Sequence, residues 1–277
     1  APDFPTPAEG SQGYDSPPSC VSGSRGPPVM NRTTKALLFD LDGTVLPQDD
    51  RPTATVIEAV RAASRLIPVA IASGRVQDDV CHYARLFGLS TPQVADNGAT
   101  LLDPVTGRTI NRHVLGRVEA ERAIKSLQQV AMRVLACDAG RFIPDANDIT
   151  DWAVTMVMAQ FPTEVVAREW AYRLSSDSTS AYASVDNQGD WYLDCTAAGV
   201  DKGTGAGDFA THVGIELADL MVIGDGINDI PMFEAAGFSV AMETSPADLL
   251  DVADAVVPNI ENDGAAAAIE RYVLDRS

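Results

Sequence analysis

The chain has 277 residues, 45% of them hydrophobic, and a formal net charge of −19 at pH 7. This length allows one large domain or two smaller ones with a sizeable core. The excess of negative charge repels nucleic-acid phosphates and anionic membrane surfaces, which argues against both as partners. The four cysteines lie far apart without CxxC spacing, so neither a disulfide framework nor a zinc site is predicted. No membrane-spanning apolar run or signal peptide is visible, and a cytoplasmic location is expected by default.

The first 30 residues differ in composition from the rest. Sixteen of them are Pro, Gly or Ser, with almost no aliphatic side chains. Such a segment cannot bury enough apolar surface to offset the entropy lost on ordering. We therefore predict a disordered tail over residues 1–32. Met30 is a candidate natural start, a hypothesis that the mass of the native N-terminus would test.

From Lys35 onward, strands and helices alternate along the chain. The elements predicted before residue 100 are a strand at 36–40, a helix from Pro52 to about Leu66, a strand at 68–72, a helix at about 76–87 ended by Gly88, and a strand at 93–95. Those predicted after residue 200 are helices at 202–213, 229–236 and 263–273 and strands at 219–223, 238–241 and near 254–257. Alternating βαβ units predict an α/β fold, with a parallel sheet covered by helices on both faces.

The segment from about 101 to 192 has a different pattern. Leu101-Leu102 and Thr109-Ile110 flank a turn-rich stretch that is typical of a hairpin. The remaining predicted elements are helices at about 118–130 and 163–174 and strands near 132–137, 152–159, 180–185 and 190–194. This grouping predicts a small antiparallel α+β module inserted into the first domain. The predicted domains are a core over 33–100 and 193–277 and an insert over 101–192.

Two carboxylates directly follow the first predicted strand. Asp40 and Asp42 lie two residues apart and precede Gly43 and Thr44. Side chains at i and i+2 of an extended segment point the same way, so both acids can act on one reacting group. Acids at the carboxyl end of a buried strand are typical of ligand sites in open α/β sheets. Asp-x-Asp-Gly also occurs in calcium loops and plain turns, and this segment alone leaves that alternative open.

Three more polar clusters accompany this acid pair. They are Ser73-Gly74-Arg75 after the second strand, Asp201-Lys202-Gly203 before a helix, and Gly224-Asp225-Gly226-Ile227-Asn228-Asp229 after a later strand. Together the four segments resemble the motifs of the haloacid dehalogenase superfamily of phosphohydrolases, in that family's order. The resemblance extends from about Lys35 to the C-terminus and implies a Rossmann-like parallel core. The insert resembles the Cof-type α+β (C2B-type) cap of the sugar-phosphate phosphatase branch, which covers the active site.

The acid pair is suited to a covalent mechanism. Phosphate monoesters hydrolyse extremely slowly in water, and an aspartyl-phosphate divides the reaction into two displacements. Asp40 ends the buried strand and is the predicted nucleophile, whereas Asp42 is the predicted general acid and base. The resemblance implies the same roles, and the second acid favours phosphatase or phosphomutase chemistry over dehalogenation. Lys202 is expected to place a positive charge beside the nucleophile and the phosphate.

The attack of one anion on another requires a cation. Carboxylate and carbonyl oxygens suit Mg²⁺, and Asp40 and Asp225 are the expected side-chain ligands. The resemblance implies the backbone carbonyl of Asp42 as a third ligand, and Asp229 is expected to orient the others. The residues assigned to phosphate or substrate contacts are Gly43, Thr44, Ser73, Gly74, Arg75 and Asn228. Alternatively, Ser73 and Asn228 cap helices, Thr44 closes a turn and Arg75 pairs with a surface acid.

The predicted function is a magnesium-dependent phosphatase that acts on a small phosphorylated substrate, preferably a sugar or polyol phosphate. A phosphorylated acid or cofactor stays open as the substrate. The alternatives are a phosphosugar mutase on the same scaffold and a non-catalytic binding protein. The oligomeric state cannot be read from the sequence.

Overall fold

The computed structural model describes residues 34–275. The predicted tail over 1–32 and the start at Met30 lie outside the described residues. The strands are β1 (Ala36–Phe39), β2 (Val69–Ile71), β3 (Gln93–Ala95), β4 (Thr100–Leu102), β5 (Thr109–Arg112), β6 (Arg133–Asp138), β7 (Arg141–Ile143), β8 (Val154–Phe161), β9 (Thr179–Val185), β10 (Trp191–Ala197), β11 (Leu220–Gly224), β12 (Phe238–Met242) and β13 (Ala255–Val257). The helices are α1 (Ala54–Ser64), α2 (Gln77–Phe87), α3 (Arg117–Leu127), α4 (Glu164–Leu174), α5 (Lys202–Val213), α6 (Ile230–Ala235), α7 (Ala247–Leu250) and α8 (Gly264–Ile269).

A parallel five-stranded sheet in the order β13-β12-β11-β1-β2 forms the centre of the fold. All four residues of β1 are buried, because its side chains alternate between two apolar layers. Leu37 and Phe39 pack with residues of α1, α2 and α8, whereas Ala36 and Leu38 pack with residues of α5, α6 and α7. This arrangement confirms the predicted α/β class with a parallel core.

A second, antiparallel sheet has the order β7-β6-β8-β10-β9. Helices α3 and α4 contribute buried residues to its hydrophobic cluster. The hairpin predicted at 101–110 forms β4 and β5, and β4 also pairs with β3, so these strands form a separate three-stranded sheet. The boundaries of the inserted domain at 101 and 192 remain a prediction. Strand β7, of three residues, and helix α7, of four, are absent from the predicted elements.

Helix ends follow local chemistry. Helix α1 begins at Ala54 and not at Pro52, since the Thr53 hydroxyl accepts a hydrogen bond from the Val56 amide at 3.2 Å and caps the helix. Helix α2 ends at Phe87, and Gly88 caps it, as predicted, with a left-handed φ of 75°. The described cysteines, Cys81, Cys137 and Cys195, are free and buried. None of the helices within 34–275 combines the length and apolar character needed to cross a bilayer.

Candidate active site

The polar segments meet at one edge of the parallel sheet because they follow neighbouring strands. Strand β1 pairs with β11 on one side and with β2 on the other, all parallel. The segments after these strands therefore lie side by side at their carboxyl ends. Helix α5, which begins at Lys202, brings its first residue to the same place: the Lys202 amine is 2.6 Å from a carboxylate oxygen of Asp40.

Lys202 lies buried between two carboxylates. Its Nζ donates to Asp40 Oδ1 at 2.6 Å and to Asp229 Oδ1 at 2.5 Å, and the lysine is 0% exposed. Burial alone would lower the pKa of Lys202, but the charges of Asp229 and Asp40 outweigh this effect and raise it. Burial raises the pKa of Asp40 to about 7, with the Lys202 charge acting in the opposite direction. The lysine is thus a fixed positive charge beside Asp40.

Asp225 and Asp229 complete an acidic cluster. Thr44 donates a hydrogen bond from Oγ1 to Asp225 Oδ1 at 3.0 Å. Asp229 Oδ2 accepts from the backbone amides of Asp225 and Gly226 at 3.0 and 2.9 Å, so its carboxylate fixes the turn that carries Asp225. Burial raises the pKa of Asp225 well above its usual range, and the charges of Asp40 and Asp229 add to this effect.

The acidic cluster fits a hard divalent cation. Carboxylate oxygens of Asp40, Asp225 and Asp229 lie within 4.8 Å of one another. Asp40 and Asp229 are buried and Asp225 is partly buried, so one lysine among these three acids leaves an excess of negative charge, which a further cation would neutralise. Oxygen donors of this kind suit Mg²⁺. Both Asp229 oxygens already have protein partners, which fits an orienting role for this residue better than a role as a metal ligand.

Asp42 is held by Arg75. The guanidinium donates to both carboxylate oxygens of Asp42 at 2.6 to 3.1 Å, and its Nη2 also donates to Asp50 Oδ1 at 2.5 Å. The sequence left open an ion pair between Arg75 and a surface acid, but the main partner of Arg75 is Asp42, the predicted general acid. Both side chains are about one-fifth exposed, so the pair lies at the mouth of the site. A substrate contact by Arg75 remains a prediction.

Ser73 and Asn228 have protein partners in the structure. Ser73 is 0% exposed, and its Oγ accepts from the Arg75 amide at 3.1 Å. Asn228 Nδ2 donates to Asn97 Oδ1 at 3.3 Å, and Asn228 also lines the cavity described below together with Gly74. These bonds order both loops, and contacts of Ser73, Gly74 and Asn228 with a phosphate stay predictions.

Glycine is the only residue type that position 43 tolerates. Its φ is +75°, and a Cβ there would lie 2.1 Å from Asp225 Oδ2. We expect Gly43→Ala to displace the Asp225 carboxylate and to lower kcat by at least about 10²-fold, since misplacement by an ångström has that effect. Gly107→Ala is the matched control, because Gly107 has a φ of +70° and a Cβ there would have none of the described residues within 4 Å apart from its chain neighbours.

The control separates backbone strain from the clash. Gly107→Ala should lower the free energy of unfolding by about 1–2 kcal/mol, with normal kcat. Chemical denaturation and steady-state kinetics of both variants would check this. Equal kcat values for the two variants would show that the approach of Gly43 to Asp225 does not matter for activity.

A cavity of about 830 Å³ opens above these residues. Asp40, Asp42 and Asp225 line it on the side of the parallel sheet, and residues of β9 and β10 line it on the opposite side. Among the described residues, nine acidic side chains but only two arginines, Arg75 and Arg168, line this cavity. Arg168 pairs with Glu164 at 2.8 Å, so both arginines that line the cavity are bound to carboxylates.

Sequence reasoning missed Asp194, a buried acid on β10 that lines this cavity. Its Oδ2 accepts a hydrogen bond from Ser184 Oγ on β9 at 3.0 Å. It also faces the Ser73–Arg75 loop, since a Cβ on Gly74 would be 3.5 Å from the same oxygen. Burial raises the pKa of Asp194 to about 6. An acid within the otherwise apolar run of β10 was the available sequence signal.

Comparisons with known proteins agree with this geometry. A family model described as haloacid dehalogenase-like hydrolase matches residues 37–152 and 143–269. A phosphoglycolate phosphatase from Methanothermobacter thermautotrophicus is 28% identical over 86% of this chain and 99% of its own length. A haloacid dehalogenase-like hydrolase from B. subtilis has a TM-score of 0.73 at 20% identity, covering 85% of this chain and 99% of that chain. A subclass IIB sugar phosphatase has a TM-score of 0.71 at 24% identity, covering 86% and 99%.

The family model and the phosphatase relative together identify the chain as a phosphatase. The chain belongs to the haloacid dehalogenase-like hydrolases. This membership confirms the resemblance that the four motifs indicated.

Proposed function

We propose that the protein is a magnesium-dependent phosphomonoester hydrolase that forms an aspartyl-phosphate at Asp40 and acts on a small sugar or polyol phosphate. One observation carries this proposal. A buried Asp40 contacts Lys202 at 2.6 Å, lies beside Asp225 and lines a cavity together with Asp42. A nucleophile, a fixed positive charge, a second acid and a candidate cation site are thus next to one another.

The first step transfers the phosphoryl group to the enzyme. A carboxylate oxygen of Asp40 forms a bond to phosphorus, and the bond between phosphorus and the substrate oxygen breaks. The leaving oxygen takes a proton from Asp42. To do this, Asp42 must carry a proton and turn away from Arg75. Asp50 is already bound to Arg75 at 2.5 Å, so the guanidinium keeps a partner when Asp42 moves.

The second step releases phosphate. Asp42 accepts a proton from a water molecule whose oxygen bonds to phosphorus, and the bond from phosphorus to Asp40 breaks. Lys202 stabilises the Asp40 carboxylate that re-forms, since its amine is already 2.6 Å away. Asp40 and Asp225 would hold Mg²⁺, and the bound ion would neutralise phosphoryl charge.

The charge of the cavity supports a substrate whose leaving group is uncharged. Among the described residues that line the cavity, no cation is free of a carboxylate partner. A second negative group on the substrate would therefore be repelled, whereas hydroxyl groups can donate to carboxylates. The Asp194 carboxyl, held by Ser184, is one acceptor for such a hydroxyl.

A second candidate substrate is 2-phosphoglycolate. It is favoured by the relative from Methanothermobacter thermautotrophicus, a phosphoglycolate phosphatase that the chain matches over 99% of its length. Its carboxylate would enter a cavity lined by nine acidic residues, which disfavours it on electrostatic grounds. Turnover of a sugar or polyol phosphate and of 2-phosphoglycolate can therefore be compared directly.

The test is phosphate release from sugar phosphates, polyol phosphates, 2-phosphoglycolate and p-nitrophenyl phosphate, with Mg²⁺ and with EDTA. We expect Mg²⁺-dependent turnover and a higher kcat/KM for a sugar or polyol phosphate than for 2-phosphoglycolate. The reverse ranking would establish the second candidate. Turnover that needs a sugar bisphosphate activator and returns the phosphate to the sugar would establish a mutase instead.

Asp194 makes the stability of the protein depend on pH. Its pKa is about 6 in the folded protein, against an ordinary value of 3.8, so the native state binds more protons than the unfolded state between these values. Stability therefore falls as the pH rises through this window. We expect Asp194→Asn to stabilise the protein by about 2–3 kcal/mol at pH 8 and to have little effect near pH 4. Urea denaturation at both pH values measures this.

The amide introduced at position 194 keeps an acceptor oxygen for Ser184, so packing and the hydrogen bond change little. Asp177→Asn, at an exposed position, changes the net charge equally and serves as the control. If the stability of Asp194→Asn differs from that of the native protein by the same small, pH-independent amount as that of Asp177→Asn, the prediction for Asp194 is wrong.

A further inference from the structure

The turn over residues 96–98, between β3 and β4, has an unusual backbone. Asp96, Asn97 and Gly98 have φ values of 52°, 53° and 97°. Residues other than glycine rarely adopt this left-handed region, and among them Asp and Asn tolerate it best. Strain of this kind persists where the surrounding structure imposes it, and it is concentrated at functional sites. Neither the proposed mechanism nor the four motifs uses this turn.

The turn contacts three of the catalytic segments. The backbone amides of Asp96 and Asn97 donate to the carbonyls of Arg75 and Ser73, each at 3.0 Å. The Asn97 side chain accepts from Asn228 Nδ2 at 3.3 Å. Gly98 lies against the start of α5, since a Cβ there would be 1.8 Å from the Asp201 carbonyl oxygen and 2.9 Å from the backbone nitrogen of Lys202. One turn thus sets the spacing of three loops.

Buried polar contacts hold the turn in this conformation. Asp96 Oδ2 accepts from Thr100 Oγ1 at 2.8 Å and from Thr155 Oγ1 on β8 at 2.9 Å. Asp96 and Asn97 are both 0% exposed, yet Asn97 Nδ2 has no hydrogen-bond partner among the described residues. Unsatisfied buried atoms destabilise a fold, so stability does not account for this arrangement.

We propose that Asn97 is a positioning residue, whose side chain holds Asn228 against the cavity while its backbone holds the Ser73–Arg75 loop. It acts through these loops and not on the substrate, and the proposal rests on the proposed function. Asn97 does not line the cavity among the described residues, whereas Asn228, Gly74 and Arg75 do. The hydrogen bond from Asn228 to Asn97 is therefore the route by which the turn orders a cavity residue.

Asn97→Gly is the direct test, because glycine keeps the left-handed backbone and removes only the side chain. We expect kcat/KM with Mg²⁺ and p-nitrophenyl phosphate to fall between about 10- and 100-fold. Asp263→Gly is the matched control. Asp263 has the same φ of 53°, and its side chain also bonds to a residue distant in sequence, accepting from Thr53 Oγ1 at 2.6 Å. The control should retain its activity within about threefold.

A double-mutant cycle with Asn228→Ala distinguishes positioning from a general loss of structure. When Asn97 acts through Asn228, Asn97→Gly reproduces the changes in kcat and KM of Asn228→Ala, and the double variant is no worse than Asn228→Ala. Multiplied losses in the double variant would overturn the proposal. So would native kinetics in folded Asn97→Gly.

The native enzyme, assayed in parallel, separates the two proposals, because its turnover tests the proposed function alone. Asn97→Asp provides a second variant if Asn97→Gly does not fold. Its carboxyl keeps an acceptor oxygen for Asn228, ionised or protonated, and Asp tolerates the left-handed backbone. We expect it to retain at least about a tenth of native kcat/KM. A folded Asn97→Asp below that level overturns the proposal.

Discussion

Asp40→Asn is expected to abolish turnover, with kcat at least about 10⁴-fold below the native value. An amide has the shape of the carboxylate but cannot form the acyl phosphate. The amide oxygen at position 40 would still accept a hydrogen bond from Lys202, which now lies 2.6 Å from Asp40, so the fold should survive. The measurement is phosphate release from p-nitrophenyl phosphate with Mg²⁺, together with the thermal unfolding midpoint.

Asp78→Asn is the matched control for this substitution. Asp78 also lines the cavity but is exposed, in the first turn of α2 and outside the acidic cluster. Its replacement should leave kcat within about threefold. Comparable activity in the two variants would exclude Asp40 as the nucleophile.

Lys202→Met is expected to have the largest effect on stability. Lys202 is 0% exposed and bonded to Asp40 and Asp229, so its removal leaves two buried carboxylates without their cation. Breaking a buried pair from one side costs about 3–5 kcal/mol. The loss should shrink as the pH falls, because the unpaired acids can then take up protons. Urea denaturation at two pH values measures the loss of stability and its pH dependence. The kcat at 25 °C or below measures the effect on turnover.

Lys35→Met provides the comparison for Lys202→Met. Lys35 also pairs with a carboxylate, Asp219, at 2.8 Å, but its side chain is 58% exposed. Exposed pairs contribute about 0–1 kcal/mol, and Lys35 is not near the site. A similar loss of stability in the two variants would show that the buried network around Lys202 does not carry the expected free energy.

The sequence predicted the parallel core because its signals are local. Apolar strands, Gly88 as a helix end and the polar residues after β1, β2 and β11 each follow from short-range rules. The spacing of Asp40 and Asp42 also predicted that both face one site, and both line the cavity. The helix start at Pro52 was wrong because Thr53 provides a stronger local signal, a side-chain cap.

The contacts that could not be predicted join residues distant in sequence. Asn97 and Asn228 are 131 positions apart, and Asp194 reaches the Gly74 loop only after β10 joins its sheet. Arg75 contacts Asp42 across 33 positions, which single-sequence patterns do not specify. The cavity and its excess of acidic residues likewise exist only after folding, because β9 and β10 supply one of its walls.

The central claim is that the phosphoryl group passes through Asp40. The most direct measurement is acid quenching of Asp42→Asn during turnover of p-nitrophenyl phosphate with Mg²⁺, followed by peptide mass spectrometry. This substrate has a good leaving group that needs no acid, whereas the second step has lost its base, so the intermediate should accumulate. We expect one added phosphoryl group on Asp40 and none after a further Asp40→Asn substitution. Phosphate release with Asp40 unmodified throughout would contradict this claim.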